Sequence, residues 1–211
     1  MSRRRPASGY EEIACEAARI VCEEGITDYR LAKRKAAERL GLPANAALPD
    51  NARVESGVIE YQRLYGGAAY VRHLQQMRTV AVQAMRLLAG FAPRLVGGTV
   101  SGAVSMSHRV QLHAFGDKVE LIDVFLHDRG IPYEQDERDY RYLDGALESV
   151  PLVRFEAGEI GVDVAMFPDD TASRLPLSAT NGQPVKRLTL AEAERLAAQP
   201  VESLSNAPWD G

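Results

Sequence analysis

The sequence predicts an α+β protein, in which a helical N-terminal region packs on a small mixed β-sheet. Apolar residues recur at helical spacing through the first ninety residues. From Arg109 onward, short stretches alternate between apolar and polar side chains, which is typical of strands. We therefore expect a helical region at residues 1–90, an α+β core at 91–170, and a C-terminal extension with one short helix at 171–211.

Four helices are predicted in the N-terminal region. The first ends at Gly25, because glycine readily adopts the left-handed conformation that terminates a helix. Asp28 caps the second, which stops at the segment Gly41-Leu42-Pro43. The third runs from Asn51 to Tyr65 and the fourth from about Ala68 to Ala89.

In the remainder of the chain, the sequence predicts several strands and two further helices. The strands are one that runs from Leu95 into a glycine-rich turn ending at Gly102, one from Arg109 to Phe115, a polar edge strand from Tyr133 to Leu143, and a hairpin from Leu152 to Phe167 turned at Ala157 to Gly161. Two capping boxes predict the helices. The box Asp117–Glu120 opens a helix that buries Val119, Leu121, Ile122, Val124, Phe125 and Leu126, and the box Thr189–Glu192 opens a last helix to about Ala198.

Composition excludes several classes of protein. With 211 residues, 45% of them hydrophobic and 26% charged, the chain can bury a core of its own and is not disordered throughout. No apolar run reaches the ~18 residues of a membrane span, and no signal-peptide segment follows the basic start, so we expect a cytoplasmic protein without a membrane partner.

Cys15 and Cys22 would lie roughly 10 Å apart on one helix, too far for a disulfide, and we expect both thiols to be buried and reduced.

The strongest catalytic motifs are missing from the sequence. It contains no Walker-type phosphate loop, no Gly-x-Gly-x-x-Gly, no His-Glu-x-x-His, no Gly-x-Ser-x-Gly and no Cys/His set with zinc spacing.

One group of residues could nevertheless carry chemistry. Gly97 and Gly98 follow a strand, where glycines let backbone N–H groups approach a phosphate. Gln111 and His113 are two apart on a strand and so share one face. Asp163 lies on a later strand, and it joins them if the two strands are neighbours. The predicted phosphate-binding residues are Gly97, Gly98, Thr99 and Ser101.

The stretch from Leu95 to Phe167 resembles the nucleotidyltransferase superfamily, the fold of minimal nucleotidyltransferases and DNA polymerase beta. The family pattern is a Gly-Gly or Gly-Ser motif, then two carboxylates around one hydrophobic residue, then a third carboxylate on a later strand. The resemblance implies a nucleotidyltransferase-like sheet, phosphates held at the glycine motif, and carboxylates that bind two Mg²⁺ ions. Through residues 25–40, 94–98 and 182–188 the chain also resembles small bacterial proteins described as nucleotidyltransferase-like, a likeness that implies no substrate.

The chain departs from this pattern at the carboxylate pair, which falls on Gln111 and His113 and leaves Asp163 as the matching acid. Since Mg²⁺ prefers oxygen ligands and two metal ions need several negative charges around them, we expect ordinary two-metal catalysis to be lost. Whether the chain is an enzyme stays open. If it is active, Asp163 is the catalytic residue and binds Mg²⁺ with Gln111 and His113, aided by Asp123 or Glu156.

Two sets of charged residues have competing interpretations. Asp163 between valines needs either a metal or an ion-pair partner such as Arg154 or Arg109. The predicted second helix is strongly basic, and it presents either a solvated face or a surface that follows the phosphates of RNA or DNA. Its basic residues are Arg30, Lys33, Arg34, Lys35 and Arg39.

Three functions remain open at this point. The leading one is a catalytically degenerate nucleotidyltransferase-like protein, a pseudoenzyme that binds a nucleotide, a nucleic acid such as tRNA or another RNA, or a protein partner. The second is an active Mg²⁺-dependent nucleotidyltransferase with a rearranged one-metal site. The third is a structural or interaction module that binds a protein partner or a second copy of itself.

Overall fold

A computed structural model describes residues 9–118 and 120–201. Within these residues the protein is α+β, with seven helices and one open, mixed sheet of five strands. The described residues form two compact units, one containing residues 9–71 and 103–108 and the other containing residues 72–102 and 109–201. The predicted fold class is confirmed at this level, whereas the predicted division at residues 90 and 170 stays a prediction.

The first unit is a small helical bundle. Helix α1 (Gly9–Glu24) packs against both α2 (Tyr29–Arg39) and α3 (Asn51–Tyr65). Its core consists mainly of small or β-branched side chains, which let the helices approach closely: Ile13, Ala17, Ala18, Ile20, Val21, Ala32, Ala36, Ala37, Val54, Val58 and Ala103. Asp28 accepts hydrogen bonds from two backbone N–H groups at the start of α2, so the predicted cap is confirmed.

The expectation of buried cysteines is wrong for Cys15, which is exposed, while Cys22 is partly buried. Cys15 lies two positions from Ile13 and from Ala17, and a step of two residues turns a helix by about 200°. Its side chain therefore points away from the apolar stripe of α1. Burial raises the pKa of the Cys22 thiol to about 12.

Helix α4 (Gly67–Leu87) leads from the first unit into the second. The second unit is built on a sheet with the order β1-β2-β5-β4-β3, in which β2 and β5 are parallel and the other neighbours antiparallel. Its elements are β1 (Arg94–Val96), α5 (Gly98–Ser101), β2 (Val110–Gly116), α6 (Leu121–Asp128), β3 (Tyr133–Arg141), β4 (Leu147–Ala157), β5 (Ile160–Pro168) and α7 (Leu190–Ala198), with 3₁₀ turns at Ala89–Phe91 and Asp169–Thr171.

The two faces of the central strands differ in chemistry. One face is apolar and fully buried, and its residues are Val110, Leu112, Ala114, Val162, Val164 and Met166. The opposite face carries Gln111, His113 and Asp163, because these residues lie at the alternate positions of β2 and β5. Aromatic side chains cover the far end of this polar face, at Phe115 and Phe167.

The capping box predicted at Asp117–Glu120 is wrong. Helix α6 begins at Leu121, and Glu120 precedes it without a side-chain cap bond. Predicted burial holds for Ile122 and Leu126, which are one helical turn apart. Phe125 is only partly buried, and Leu121 and Val124 are exposed, because only one side of this short helix is covered. Val119, also predicted to be buried, lies outside the described residues.

The second capping box is confirmed. Thr189 and Glu192 exchange hydrogen bonds between side chain and backbone at the start of α7, which ends at Ala198 as predicted.

Candidate anion-binding site

The register of β2 against β5 brings the predicted polar residues together. Gln111 lies directly opposite Asp163, and His113 is one step further along the same face. The condition for their convergence, that these two strands are neighbours, is therefore met. Val96 lies opposite Gln111 on the other side, so the end of β1 joins the same cross-strand row, immediately before Gly97.

Asp163 is surrounded by arginines. Its side chain is 6% exposed, and Arg109 Nε lies 2.6 Å from Oδ1 while Arg138 Nη2 lies 3.0 Å from Oδ2. Arg154 Nε is 3.8 Å from Oδ1, and this arginine also pairs with Asp136 at 2.7 Å. Of the two expected ways to stabilise this carboxylate, the structure shows ion pairs, and they include both predicted partners.

Arg109 is held by a set of contacts around its guanidinium group. It also donates to Glu156 and to the carbonyl of Phe155, at 2.6 and 3.0 Å. Gly161 lies against this group, and a Cβ there would overlap the guanidinium. Burial alone would lower the pKa of Arg109, but the bonds with Glu156 and Asp163 outweigh it and raise that pKa.

His113 is buried and contacts a second arginine. Arg187 Nε lies 3.0 Å from His113 Nδ1, and since an arginine N–H can only donate, this ring nitrogen is the acceptor. Burial, followed by the nearby charges of Arg187 and Arg138, lowers the pKa of His113 to about 3. The imidazole is therefore neutral at physiological pH, with its proton on Nε2.

Arg187 reaches this position because its segment pairs with the outer edge of β1. Leu188 exchanges two backbone hydrogen bonds of 2.9 Å with Leu95. The guanidinium lies over the rings of Phe115 and Phe167, with its carbon 4.9 and 5.1 Å from the ring centres, and Nη1 donates to the carbonyl of Ala172. Burial lowers the pKa of Arg187.

Arg187 differs from the arginines around Asp163 in one respect. Among the described residues it forms no ion pair with a carboxylate. Its Nη2 atom is buried without a hydrogen-bond partner, as is Nε of Arg154. The cation–π contacts offset part of the cost of burying this charge. We call the surface formed by Gln111, His113, Asp163, Arg109, Arg138, Arg154 and Arg187 the arginine face.

The glycine turn lies beside this surface. Gly97 has φ +74° and ψ −155°, a conformation that is essentially restricted to glycine, and a Cβ there would collide with the side-chain amide of Gln111. Ser101 is exposed and Gly98 partly exposed, so both are accessible from solvent. Thr99 is 1% exposed, so its hydroxyl does not face the solvent. The predicted phosphate contacts of Gly97, Gly98, Thr99 and Ser101 stay predictions.

The same contacts bear on the predicted metal ligands. Asp163 already accepts from two arginines, and His113 uses Nδ1 to accept from a third. In the described part of the chain, no group of three or more His, Cys, Asp or Glu side chains is arranged to hold a metal ion. The assignment of Asp163, Gln111 and His113 to Mg²⁺ stays a prediction, one that these contacts do not favour.

The basic helix α2 uses much of its charge internally. Lys35 and Arg39 both pair with Glu24, and Lys33 donates to the carbonyl of Pro49 at 2.8 Å. Arg30 and Arg34 are exposed. The predicted nucleic-acid contacts of this helix stay a prediction, and α2 offers fewer uncommitted cations than its sequence suggests.

Arg138 and Arg187 were not among the predicted site residues. Arg138 lies two strands away from Asp163 and reaches it across β4, so its role depends on a strand order that no local pattern encodes. Arg187 depends on the pairing of its segment with β1. The position of Arg138 on a polar edge strand does not show what its side chain contacts.

Comparison of the sequence with protein-family models and with curated proteins found no match. Among the described helices, none combines the length and the apolar character that crossing a bilayer requires.

Proposed function

We propose that the chain is a catalytically degenerate nucleotidyltransferase-like protein that binds the phosphate groups of a nucleotide or nucleic acid on the arginine face. The observation that carries the proposal is Arg187. It is a half-buried guanidinium on a polar sheet face, and no described carboxylate neutralises it. A buried charge is costly unless it is paired, so a bound anion would stabilise this arrangement.

The surrounding residues support an anion rather than a metal ion. Guanidinium groups present several N–H donors in a planar fork that matches phosphate oxygens. His113 is neutral and Gln111 is uncharged, so neither repels a phosphate. The one carboxylate at the centre, Asp163, is already paired with arginines. Gly97 adds an exposed backbone turn one residue beyond the cross-strand row.

The proposal is tested by isothermal titration of the full chain with ATP, first in EDTA and then in Mg²⁺. We expect binding in EDTA, and an at least tenfold weaker affinity for Arg187→Gln. The matched control is Arg174→Gln, since Arg174 also stacks on an aromatic ring, that of Tyr142, but pairs with Asp144 and Glu148. Its affinity should stay within twofold of the unmodified chain.

Two results would contradict this function. If neither ATP in titration nor tRNA and total RNA in filter binding associate with the chain, the phosphate-binding role is wrong. If binding requires Mg²⁺, and label from radioactive ATP is transferred to a component of cell extract in a reaction that Asp163→Ala abolishes, the chain is an active enzyme instead. Cytoplasmic localisation and a protein or self-association partner stay predictions that these assays do not address.

A further inference from the structure

The arginines of the arginine face are not equivalent. Arg109 is fixed by Asp163, Glu156 and a backbone carbonyl, and it lies against Gly161. Arg138, in contrast, contacts Asp163 through one nitrogen and has a side chain that is 32% exposed. Arg109 therefore supplies a permanent neutralising charge for Asp163, whereas Arg138 has donors left for another acceptor.

Arg138 and Arg187 approach the same region from opposite edges of the sheet. Arg138 extends from β3 over β4 to Asp163, and Arg187 extends from beyond β1 to the ring of Phe167 on β5. Arg187 contacts the buried ring of His113, and Arg138 contacts Asp163, which lies on the neighbouring strand of the same face. The two guanidinium groups thus contact neighbouring residues of one sheet face, where Gln111 is partly exposed.

We propose that Arg138 and Arg187 form a metal-independent clamp for a terminal phosphate monoester, in which the phosphate takes over the interaction that Asp163 makes with Arg138 in the free protein. This inference rests on the proposed function and names its ligand class. A monoester carries nearly two negative charges and three free oxygens near neutral pH, and so it can accept from both guanidinium groups. A phosphodiester carries one charge and two free oxygens.

The arrangement does not suit an extended nucleic-acid backbone. Tracking a backbone requires cations spread along a line, because the phosphates recur along the strand. Here Arg138 and Arg187 contact neighbouring residues of one sheet face, Asp163 and His113, instead of forming a line along it. Helix α2, whose basic residues do lie along a line, pairs Lys35 and Arg39 with Glu24. The chemistry of a single terminal phosphate is common to mononucleotides and to 5′-phosphorylated RNA.

The test is titration in EDTA with two ligands, 5′-AMP and cyclic 3′,5′-AMP. The phosphate of 5′-AMP is a monoester, whereas that of cyclic AMP is a diester. We expect 5′-AMP to bind at least tenfold more tightly. A short RNA with and without a 5′-phosphate forms the second arm, and it separates a mononucleotide ligand from an RNA end. Arg138→Gln should weaken 5′-AMP binding at least tenfold. The matched control is Arg141→Gln, on the same strand but the opposite face, which should change binding less than twofold.

Asp163→Asn provides the sharpest result. If the ligand phosphate replaces Asp163 as the anion beside Arg138, removing the carboxylate charge should tighten 5′-AMP binding at least threefold. Arg138→Lys keeps the positive charge but loses the planar set of guanidinium donors. If Arg138→Gln does not fold, Arg138→Lys takes its place, and it should retain part of the affinity for 5′-AMP. Equal binding of 5′-AMP and cyclic AMP, or weaker binding by Asp163→Asn, would overturn the clamp while leaving phosphate binding on the arginine face intact. No binding of any nucleotide or RNA would overturn the proposed function itself.

Discussion

The ion-pair network of Asp163 predicts a large loss of stability when its charge is removed. Asp163→Asn keeps the shape of the side chain but leaves Arg109 and Arg138 without their shared carboxylate. Removing one partner of a buried ion pair costs about 3–5 kcal/mol. Because these two arginine side chains remain 30 and 32% exposed, water solvates part of the uncovered charge, and we expect the low end, about 3 kcal/mol.

The assay is urea unfolding at pH 7 followed by far-UV circular dichroism, with hydrogen exchange of β2 and β5 to locate the change. Asp136→Asn is the matched control. Asp136 pairs with Arg154 but its side chain is 46% exposed, so its loss should cost at most about 1 kcal/mol.

A loss below about 1 kcal/mol in Asp163→Asn would refute the argument that the arginines depend on this carboxylate. A second outcome would refute it in a different way. A ligand that binds only the folded state stabilises it. If millimolar Mg²⁺ raised the unfolding midpoint of the unmodified chain but not that of Asp163→Asn, Asp163 would be a metal ligand.

Three further predictions concern single side chains. Gly161→Ala should displace the guanidinium of Arg109 and cost about 1–2 kcal/mol in urea unfolding, whereas Gly90→Ala, where a Cβ meets nothing within 4 Å, should be nearly neutral. Gly97→Ala should cost about 1–3 kcal/mol by the same measurement, because its backbone conformation suits only glycine. The pKa of His113 is lowered to about 3, so its stabilising contribution is complete above the unfolded pKa of about 6.5 and is lost as the pH falls toward 3. Unfolding at pH 7 and pH 5 should therefore show a loss of about 2 kcal/mol that is absent in His113→Gln; an equal loss in that variant would contradict the assignment.

The sequence predicted the elements whose signals are local. Asp28 and Thr189 cap helices at their predicted positions, because a capping side chain acts within three residues of itself. The third helix has the predicted bounds, Asn51–Tyr65, because an Asp and two glycines flank an apolar stripe. The capping box predicted at Asp117 is wrong although its sequence matches the motif, because the helix that follows begins only at Leu121.

The candidate site could be predicted only in part. Alternation on β2 placed Gln111 and His113 on one face. For Asp163, predicted to need either a metal or an arginine such as Arg109 or Arg154, the structure shows both ion pairs. These inferences need only the strand period and the cost of a buried charge. Arg138 on β3 reaches Asp163 on β5 across the strand between them. Predicting this contact requires the order of the strands in the sheet, which the sequence pattern of a single strand does not specify.

The neutral side chains and the arginines on this face reinforce each other physically. Gln111 and His113 are neutral, so the arginines supply the positive charge that the buried carboxylate of Asp163 needs. Once arginines occupy its oxygens, they repel any Mg²⁺ that approaches, by about 4 kcal/mol per pair of unit charges at 4 Å near a protein surface. A carboxylate placed at position 113 would therefore pair first with Arg187, which already contacts that side chain. The proposed preference of this surface for anions therefore rests on its neutral side chains and its arginines together, and not on any single residue.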